Sequence, residues 1–485
     1  MRPSIPRGAK TAILSISMLL VASACSIQAP DVILSGGNGG GTGGTTGVTT
    51  GSAATSTGVT TGGTAGTAGT AGGTTGAAPN ANDTSCVGKV PPGTTGVSAT
   101  EIKLGSTFAA SGPVSSISGP IFKGVQSYYN KVNAEAGVFG RRIKLVWYDD
   151  GWDAQKGKSF IKKLVEQDRV FVLSVVPSSN GLDAAASYLE SKKMPVFGTS
   201  GLIESQFKSP MQWPVGTSTR SAARIGLIDA KNRGVTNFAI IWLDLLAGAE
   251  AKDAIVKSAP SIFGKPIADL KTAERRVSLS ETDFGPVWAT IQSDTAGWQR
   301  DHHVSPADGR PDFVIFAIDP TNTIKAMNAA SQKNFQPRKG WGGGQPLFLN
   351  VVAGHNWARK TGLFAGSSYY PPQVGNVPAV QDYVRTVQKY YGSSVDTTNP
   401  FLEGGYAGAA MTVEIMKRSG SCLTREKTIE VANSLTNYSP AGLTRPLSYR
   451  AGDHYANTSY LIAQVQPDGS WKVVTDWIVD PTPGK

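Results

Sequence analysis

The sequence predicts an α/β chain made of two doubly wound lobes with parallel-sheet cores. Three observations carry that expectation. From Ile102 onward, segments with the two-residue period of a strand alternate with segments of helical period, and such alternation builds parallel sheets covered by helices on both faces. The run Val170 to Val176 is almost continuously apolar, as a strand buried on both faces must be. After about residue 220 the alternation starts afresh, so two lobes describe the chain more economically than one.

The elements follow in order. Ile102-Lys103-Leu104-Gly105 opens the first strand, Ser111-Gly112-Pro113 turns the chain, and Ile121, Phe122, Val125, Tyr128, Tyr129 and Val132 recur at helical spacing. Ile143, Leu145 and Trp147 alternate in a second strand ending at Tyr148-Asp149-Asp150; Phe160, Ile161, Leu164 and Val165 mark a second helix. After the third strand, Pro177-Ser178-Ser179-Asn180-Gly181 opens a helix carrying Leu182, Tyr188 and Leu189, and Pro195-Val196-Phe197 is a fourth strand. The second series runs as helix 220–231, stopped at Gly234, strand 238–242, helix 247–258, strand 313–318 and helix 321–332. Between them, Asp294 to Arg310 reads as an irregular insertion holding Trp298 and the pair His302-His303. Adjacent histidines point in different directions on either element type, and no carboxylate or thiol spacing completes a metal site, so both are expected at the surface with no metal. In sheets of this kind ligands bind at the carboxyl ends of the strands.

Composition narrows the function classes. With 485 residues there is room for two or three domains, and charged residues at 17% exclude both coiled coil and charge-driven disorder. Lys plus Arg exceed Asp plus Glu by 46 to 35, but the basic residues form no long run and interleave with no aromatic platform, so no nucleic-acid partner is expected. Three cysteines exclude a disulfide scaffold.

Residues 1–24 have the layout of a secretory leader: Arg2, Arg7 and Lys10 precede the apolar run Ala12 to Ala22, which is too short to span a bilayer. The leader ends in Val21-Ala22-Ser23-Ala24-Cys25, small residues directly before a cysteine. This resembles the lipobox of bacterial lipoproteins, with Ala22 where Leu is commoner, and implies that Cys25 becomes a lipidated N-terminus at the extracytoplasmic face of the cell membrane. The alternative is an ordinary signal peptide cleaved before an incidental cysteine. No later segment is long and apolar enough to span a membrane. Export would put Cys86 and Cys422 in an oxidising compartment, and with Cys25 acylated they are the two remaining thiols; they are expected to form a disulfide, with two free thiols as the alternative.

Residues 25–97 form a Gly/Thr-rich linker. From Gly36 to about Asn82 the chain is almost wholly Gly, Thr, Ala, Ser and Val, which cannot bury enough apolar area to offset its ordering entropy. A flexible chain of this length has an r.m.s. reach of about 40 Å. It is expected to act as a tether, open to O-glycosylation on its threonines.

Several stretches of the globular part then fall into a known order: Ser111-Gly112-Pro113; Asn133-Ala134, Gly137 and Gly140-Arg141-Arg142; Tyr148-Asp149-Asp150 with Asp153; Lys163-Leu164-Val165; Pro177-Ser178-Ser179. In this order and spacing, Ile102 to Ser200 resembles the type I periplasmic-binding proteins of branched-chain amino acid ABC importers, the leucine/isoleucine/valine-binding kind. The resemblance continues through Asp312-Phe313-Val314 and Gly405-Tyr406-Ala407. It implies lobes joined by a three-crossover hinge, with residues 98–217 plus 371–445 in lobe 1 and 218–370 plus 446–480 in lobe 2. It further implies a small-molecule ligand in the cleft, an ABC permease as membrane partner, a monomer, and no cofactor.

Carried over residue by residue, the family's carboxylate-binding Ser falls on Ser178, beside Ser179 at the N-terminus of the third helix, where free N–H groups and the helix dipole favour an anion. A plain N-cap is the bland alternative for Ser178. The family's second hydroxyl lands on Gly201, so Thr199 or Ser200 would substitute, unless they only satisfy a turn. Phe401 matches an aromatic that packs the ligand's side chain, or else is core. Ile117 and Ala247 replace pocket aromatics, and near Val352 nothing matches the Glu that receives the ligand's amino group. Asp319 takes the place of an aromatic facing the ligand and would bring a carboxylate to the cleft; Asp319-Pro320 is equally an N-cap followed by Pro at the first helical position. The resemblance therefore implies a polar ligand, an amino acid or a related carboxylate or amide.

Other classes have less support. Gly198-Thr199-Ser200-Gly201 lacks the spacing of a nucleophile elbow, and no zinc-protease motif or activated cysteine occurs, so no enzyme is expected. A sensor of the same fold acting through a signalling partner, and an envelope protein with a degenerate cleft, remain as alternatives.

Overall fold

The computed structural model describes residues 81–112, 114–373 and 377–484. The leader, Cys25, most of the linker and Pro113 lie outside the described residues.

Five strands make the first sheet: β1 Glu101–Phe108, β2 Arg142–Asp149, β3 Val172–Ser174, β4 Val196–Thr199 and β5 Gln212–Pro214. They run in the order β2-β1-β3-β4-β5, all parallel, so every carboxyl end emerges on one side. The intervening helices are α1 Ser115–Ala134, α2 Ala154–Glu166, α3 Ser179–Ser191 and α4 Glu204–Lys208. Asp153 starts α2 by accepting from the backbone N–H groups of Gln155 and Lys156 at 2.9 and 2.8 Å, which is why the Asp precedes the helix.

The chain then crosses to a second lobe through α5 Thr219–Asn232, β6 Phe238–Leu243, α6 Leu246–Phe263, β7 Lys271–Val277, α7 Gly285–Asp301, β8 Phe313–Ala317, α8 Pro320–Gln332 and β9 Trp341–Gly343. Two short helices, α9 Asn350–Ala353 and α10 Asn356–Thr361, lead to β10 Leu363–Ser367. It crosses back for α11 Pro378–Tyr391, α12 Pro400–Arg418 and α13 Arg425–Asn433, and crosses a third time into β11 Ser459–Val465, β12 Trp471–Val473 and β13 Ile478–Val479. The second sheet runs β12-β11-β10-β9-β8-β6-β7, with β13 also on β11. Its strands from β10 to β7 are parallel, and the late strands add an antiparallel extension. The α/β fold of two lobes with parallel-sheet cores is thus present, with three crossovers between them.

Helix α12 belongs to the first sheet's layer because glycines let backbones meet. A Cβ on Gly405 would lie 2.2 Å from the Ile121 carbonyl oxygen, and one on Gly124 would lie 2.0 Å from that of Leu402. The same helix approaches β4 where Gly198 and Gly408 face each other. Cys86 and Cys422 are bonded as a disulfide, with their Cα atoms 5.0 Å apart, tying the segment before β1 to the loop after α12. Fully buried Arg141 braces that junction, donating to the carbonyls of Ser98 and Lys89 at 2.9 Å and of Ser421 at 3.1 Å.

One expectation is corrected. The stretch expected as an irregular insertion from Asp294 begins as the last two turns of α7, and only the segment beyond Asp301 is irregular. The buried face of α7 carries Trp288, Ile291, Thr295 and Gln299, and the two polar residues hid its period. Thr295 shares a hydrogen bond with Thr272 at 3.0 Å, and the Gln299 amide bonds Gly309 N–H and the Arg310 carbonyl at 3.0 and 2.9 Å. His302 and His303 are exposed, with His302 stacked 4.3 Å from the Trp298 ring.

Candidate functional site

The carboxyl ends of both sheets face one cavity of about 240 Å³. From the first lobe come Val175 and Pro177 after β3, Ser179 and Asn180 at the start of α3, Ser200 after β4, and Thr217 after β5. The second lobe contributes Leu245 and Ala247 after β6, Asp319 after β8 and Gln345 after β9. Tyr369, on the crossover after β10, and Phe401, at the start of α12, complete the cleft. Parallel strands that end on one side force this convergence, since each loop leaving a carboxyl end must pass the same crevice.

The candidate residues divide. Ser179, Ser200, Asp319 and Phe401 line the cavity, whereas Ser178 and Thr199 do not. The Ser178 hydroxyl is committed elsewhere: it caps α3 by accepting from Gly181 N–H at 3.4 Å and hydrogen-bonds the buried Asp150 carboxyl. Asp150 also accepts from the Thr107 hydroxyl at 2.6 Å and from Trp152 N–H at 2.9 Å. Burial pushes the Asp150 carboxyl above its ordinary range, and these hydrogen bonds, Ser178 included, partly counter it. Thr199 is fully buried at the end of β4, its hydroxyl without a partner. Gly201 cannot carry the family's hydroxyl because its φ is +71° and a Cβ there would meet Phe207 and Pro214 at 2.7 and 2.8 Å.

Three polar atoms on the cavity wall have no protein partner: Ser200 Oγ, Thr217 Oγ1 and Asp319 Oδ2. The Asp319 carboxylate is split in use. Its Oδ1 accepts from Asn322 N–H at 3.1 Å and caps α8, while Oδ2 is buried and unbonded. Burial raises its pKa. Gln345 is held on both sides, its Oε1 accepting from Ser368 at 3.1 Å and its Nε2 donating to the Pro400 carbonyl at 3.4 Å. No lysine, arginine or histidine stands on the wall among the described residues. Most of the lining is apolar, more so than a polar ligand alone calls for.

Thr217 and Tyr369 were not legible as site residues. Each lies on a crossover segment just past a strand end, Thr217 after β5 and Tyr369 after β10, where no periodicity of its own marks the residue.

A family profile described as periplasmic binding protein matches residues 101–470. The chain belongs to the periplasmic binding protein family. Its members are extracytoplasmic solute-binding proteins, and type I binding proteins of ABC transporters share this fold. Among solved structures, this periplasmic binding protein is similar to a fatty acid ABC transporter substrate-binding protein from Thermomonospora curvata, with TM-score 0.65 and 18% identity over 81% of this chain and 95% of that one. It is also similar to a leucine-binding protein from Thermotoga maritima, with TM-score 0.63 and 16% identity over 78% and 99%. A third is an ABC transporter solute-binding protein from R. palustris in complex with benzoate, with TM-score 0.64 and 16% identity over 79% and 99%. No curated protein matches the chain. Among the described residues no helix is long and apolar enough to cross a membrane, and no group of side chains is arranged to hold a metal ion.

Proposed function

We propose that this periplasmic binding protein captures a small carboxylate or amide, an amino acid or a related acid, and delivers it to the permease of an ABC importer without chemistry on it. The observation that carries this is the set of unpartnered atoms on one cavity: Ser200 Oγ, Thr217 Oγ1 and Asp319 Oδ2 come from both lobes and belong to residues that share its wall with Ser179 and Asn180 at the start of α3. Buried polar atoms are nearly always hydrogen-bonded, so three orphans around one cleft suit a ligand that supplies their partners. With no cation on the wall, the first-turn N–H groups of α3 beside Ser179 would hold an anionic head. A ligand touching both lobes favours their closure, and a closed, loaded form is what a permease can recognise. Fatty acid, leucine and benzoate, the ligands named for the three neighbours, share a carboxylate.

The proposal extends to placement. Residues 1–24 act as a leader and Cys25 carries the lipid. Of the linker expected over 25–97 only the part up to about residue 82 tethers, because the stretch from there to 97 is fastened to lobe 1 by the Cys86–Cys422 disulfide and the Thr94–Leu423 hydrogen bond. The protein works as a monomer of two lobes, 98–217 plus 371–445 and 218–370 plus 446–480. A thermal-shift screen of amino acids, amides and aromatic and aliphatic acids tests the ligand: a compound present at a hundred times its Kd stabilises the folded state by about 2.7 kcal/mol. A screen in which no compound raises the Tm would overturn the reading. For the anchor, Cys25→Ser should release the protein from membranes, and retention after a high-salt wash would place the anchor elsewhere.

A further inference from the structure

The cavity does not end at the cleft. From Asp319 its wall follows β8 back through Ala317 and Ile315 to Phe313, about 20 Å at the rise of a strand. It follows one face of α5 from Thr219 through Ala222 and Gly226 to Asp229, about 15 Å of helix, and one face of α6 from Ala247 through Ala251 to Ile255, about 12 Å. Three elements therefore trace the same elongated space, which runs into lobe 2 between its sheet and two covering helices.

That space is where a close-packed helix and sheet ought to interlock. A Cβ added at Gly226 meets nothing within 4 Å, whereas one at Gly248 on the neighbouring helix would lie 2.1 Å from the Leu243 carbonyl oxygen. Small side chains at Ala222, Gly226 and Ala251 keep the helices from filling it. At the inner end Asp229 offers no free charge. Its carboxylate is bidentate with Arg233 at 2.8 and 3.0 Å, and that guanidinium lies 3.6 Å from the centre of the Phe364 ring. An apolar terminus would meet the Phe313 and Phe364 rings there.

We propose that the ligand carries a long, unbranched apolar tail that enters lobe 2 between α5, α6 and the sheet, while its polar head stays at the cleft with Ser179 and Ser200, and with Asp319 Oδ2 where the head carries a donor such as an amide or hydroxyl. This rests on the solute-binding reading of the same cavity. An extended chain advances about 1.2 Å per bond, so the length traced along the helices takes about ten to twelve carbons. A branched-chain amino acid would fill the mouth and leave the channel behind it bare.

Calorimetric titration of the intact protein with straight-chain acids from butanoic to tetradecanoic, and with their primary amides, tests the tail. Each added methylene should tighten binding about fourfold until the channel is full, and then the gain should stop. The amide arm separates an anionic head from a neutral one without altering that dependence. Gly226→Leu, which projects a side chain into the channel, should move the point of saturation to shorter chains; the wild-type series decides the matter even if that variant folds poorly. Affinity independent of chain length, or a Gly226→Leu series identical to wild type, overturns the tail. Binding of leucine or benzoate with no gain from any alkyl chain would do the same and leave the solute-binding reading standing; a screen in which nothing binds would remove both.

Discussion

Asn457 donates its side-chain amide to the Val215 carbonyl at 3.0 Å, and the same nitrogen reaches the Ser368 carbonyl at 3.4 Å. Those three residues stand on the three crossovers between the lobes, so one buried amide ties the hinge segments together. Hinges absorb backbone change at a few positions, and in Asn457 one side chain holds together the three segments by which the chain passes between the lobes.

Asn457→Ala should therefore cost about 1 to 3 kcal/mol in stability, because two buried carbonyls lose a donor. It should also enlarge the radius of gyration of the ligand-free protein in X-ray scattering, as the lobes sample wider openings. Wild-type values in both measurements would show that the crossovers are held by other contacts.

Ser178 and Ser179 should behave differently although they adjoin. Ser178→Ala removes the α3 cap and a hydrogen bond to buried Asp150, and is expected to lower stability by about 1 to 3 kcal/mol with little change in ligand affinity. Ser179→Ala should do the reverse, weakening an anionic ligand about tenfold. Urea midpoints and calorimetry on the two variants check the pair, and equal effects would mean that both hydroxyls face the ligand.

For Asp319 the two oxygens separate by substitution. Asn caps about as well as Asp, so Asp319→Asn should leave the urea midpoint near wild type, whereas Asp319→Ala should lower stability by about 1 kcal/mol. In the Asn variant the amide oxygen can keep the cap while an NH2 donor takes the place of the unbonded Oδ2 and the carboxylate charge is lost, so a ligand that donates to Oδ2 should bind about ten- to a hundredfold more weakly. Unchanged affinity would reduce Asp319 to a cap.

Glu403 is fully buried in the first turn of α12, with neither carboxylate oxygen hydrogen-bonded, and burial holds its pKa well above the carboxylate range. A pKa raised in the folded state means stability that is complete below the unfolded value and is lost as pH rises towards the folded one. The limiting slope is about 1.4 kcal/mol per pH unit. Glu403→Gln keeps the shape and abolishes the titration, so it should match wild type in acid and exceed it increasingly towards neutral pH. Parallel urea-midpoint profiles of the two proteins would show that the carboxyl ionises freely.

The first lobe was legible because its periodicity is backbone geometry. Val170 to Val176 is buried throughout, and Ile121, Val125, Tyr129 and Val132 face the core one helical turn apart. Strand β7 escaped because its sequence, Lys-Thr-Ala-Glu-Arg-Arg-Val, is that of an outer edge strand with charged residues facing solvent. The resemblance pointed to the right loops but not always to the right residue. Asp319 and Phe401 do line the cavity, whereas the Ser it assigned, Ser178, caps α3 and leaves the wall to its neighbour Ser179, and the hydroxyl it assigned to Gly201 has only Ser200 beside it on the wall. Nothing local announced the channel in lobe 2. Ala222, Gly226 and Ala251 read as the small residues of a tightly packed helix face, and only the empty surroundings of Gly226, where an added Cβ would meet nothing within 4 Å, show that they border open space.

The late arrival of β11 has a consequence for biogenesis. That strand lies beside β10 in the second sheet, yet more than ninety residues of sequence separate them, and α11 to α13 are given over to the other lobe in between. Neither lobe holds all its parts until nearly the whole polypeptide has been released. A chain threaded through a secretion channel would gain from this, since premature compaction that could jam the pore is deferred. A nascent product cut short before residue 459 would present the unpaired edge of β10, a mark by which envelope proteases could tell it from a finished molecule.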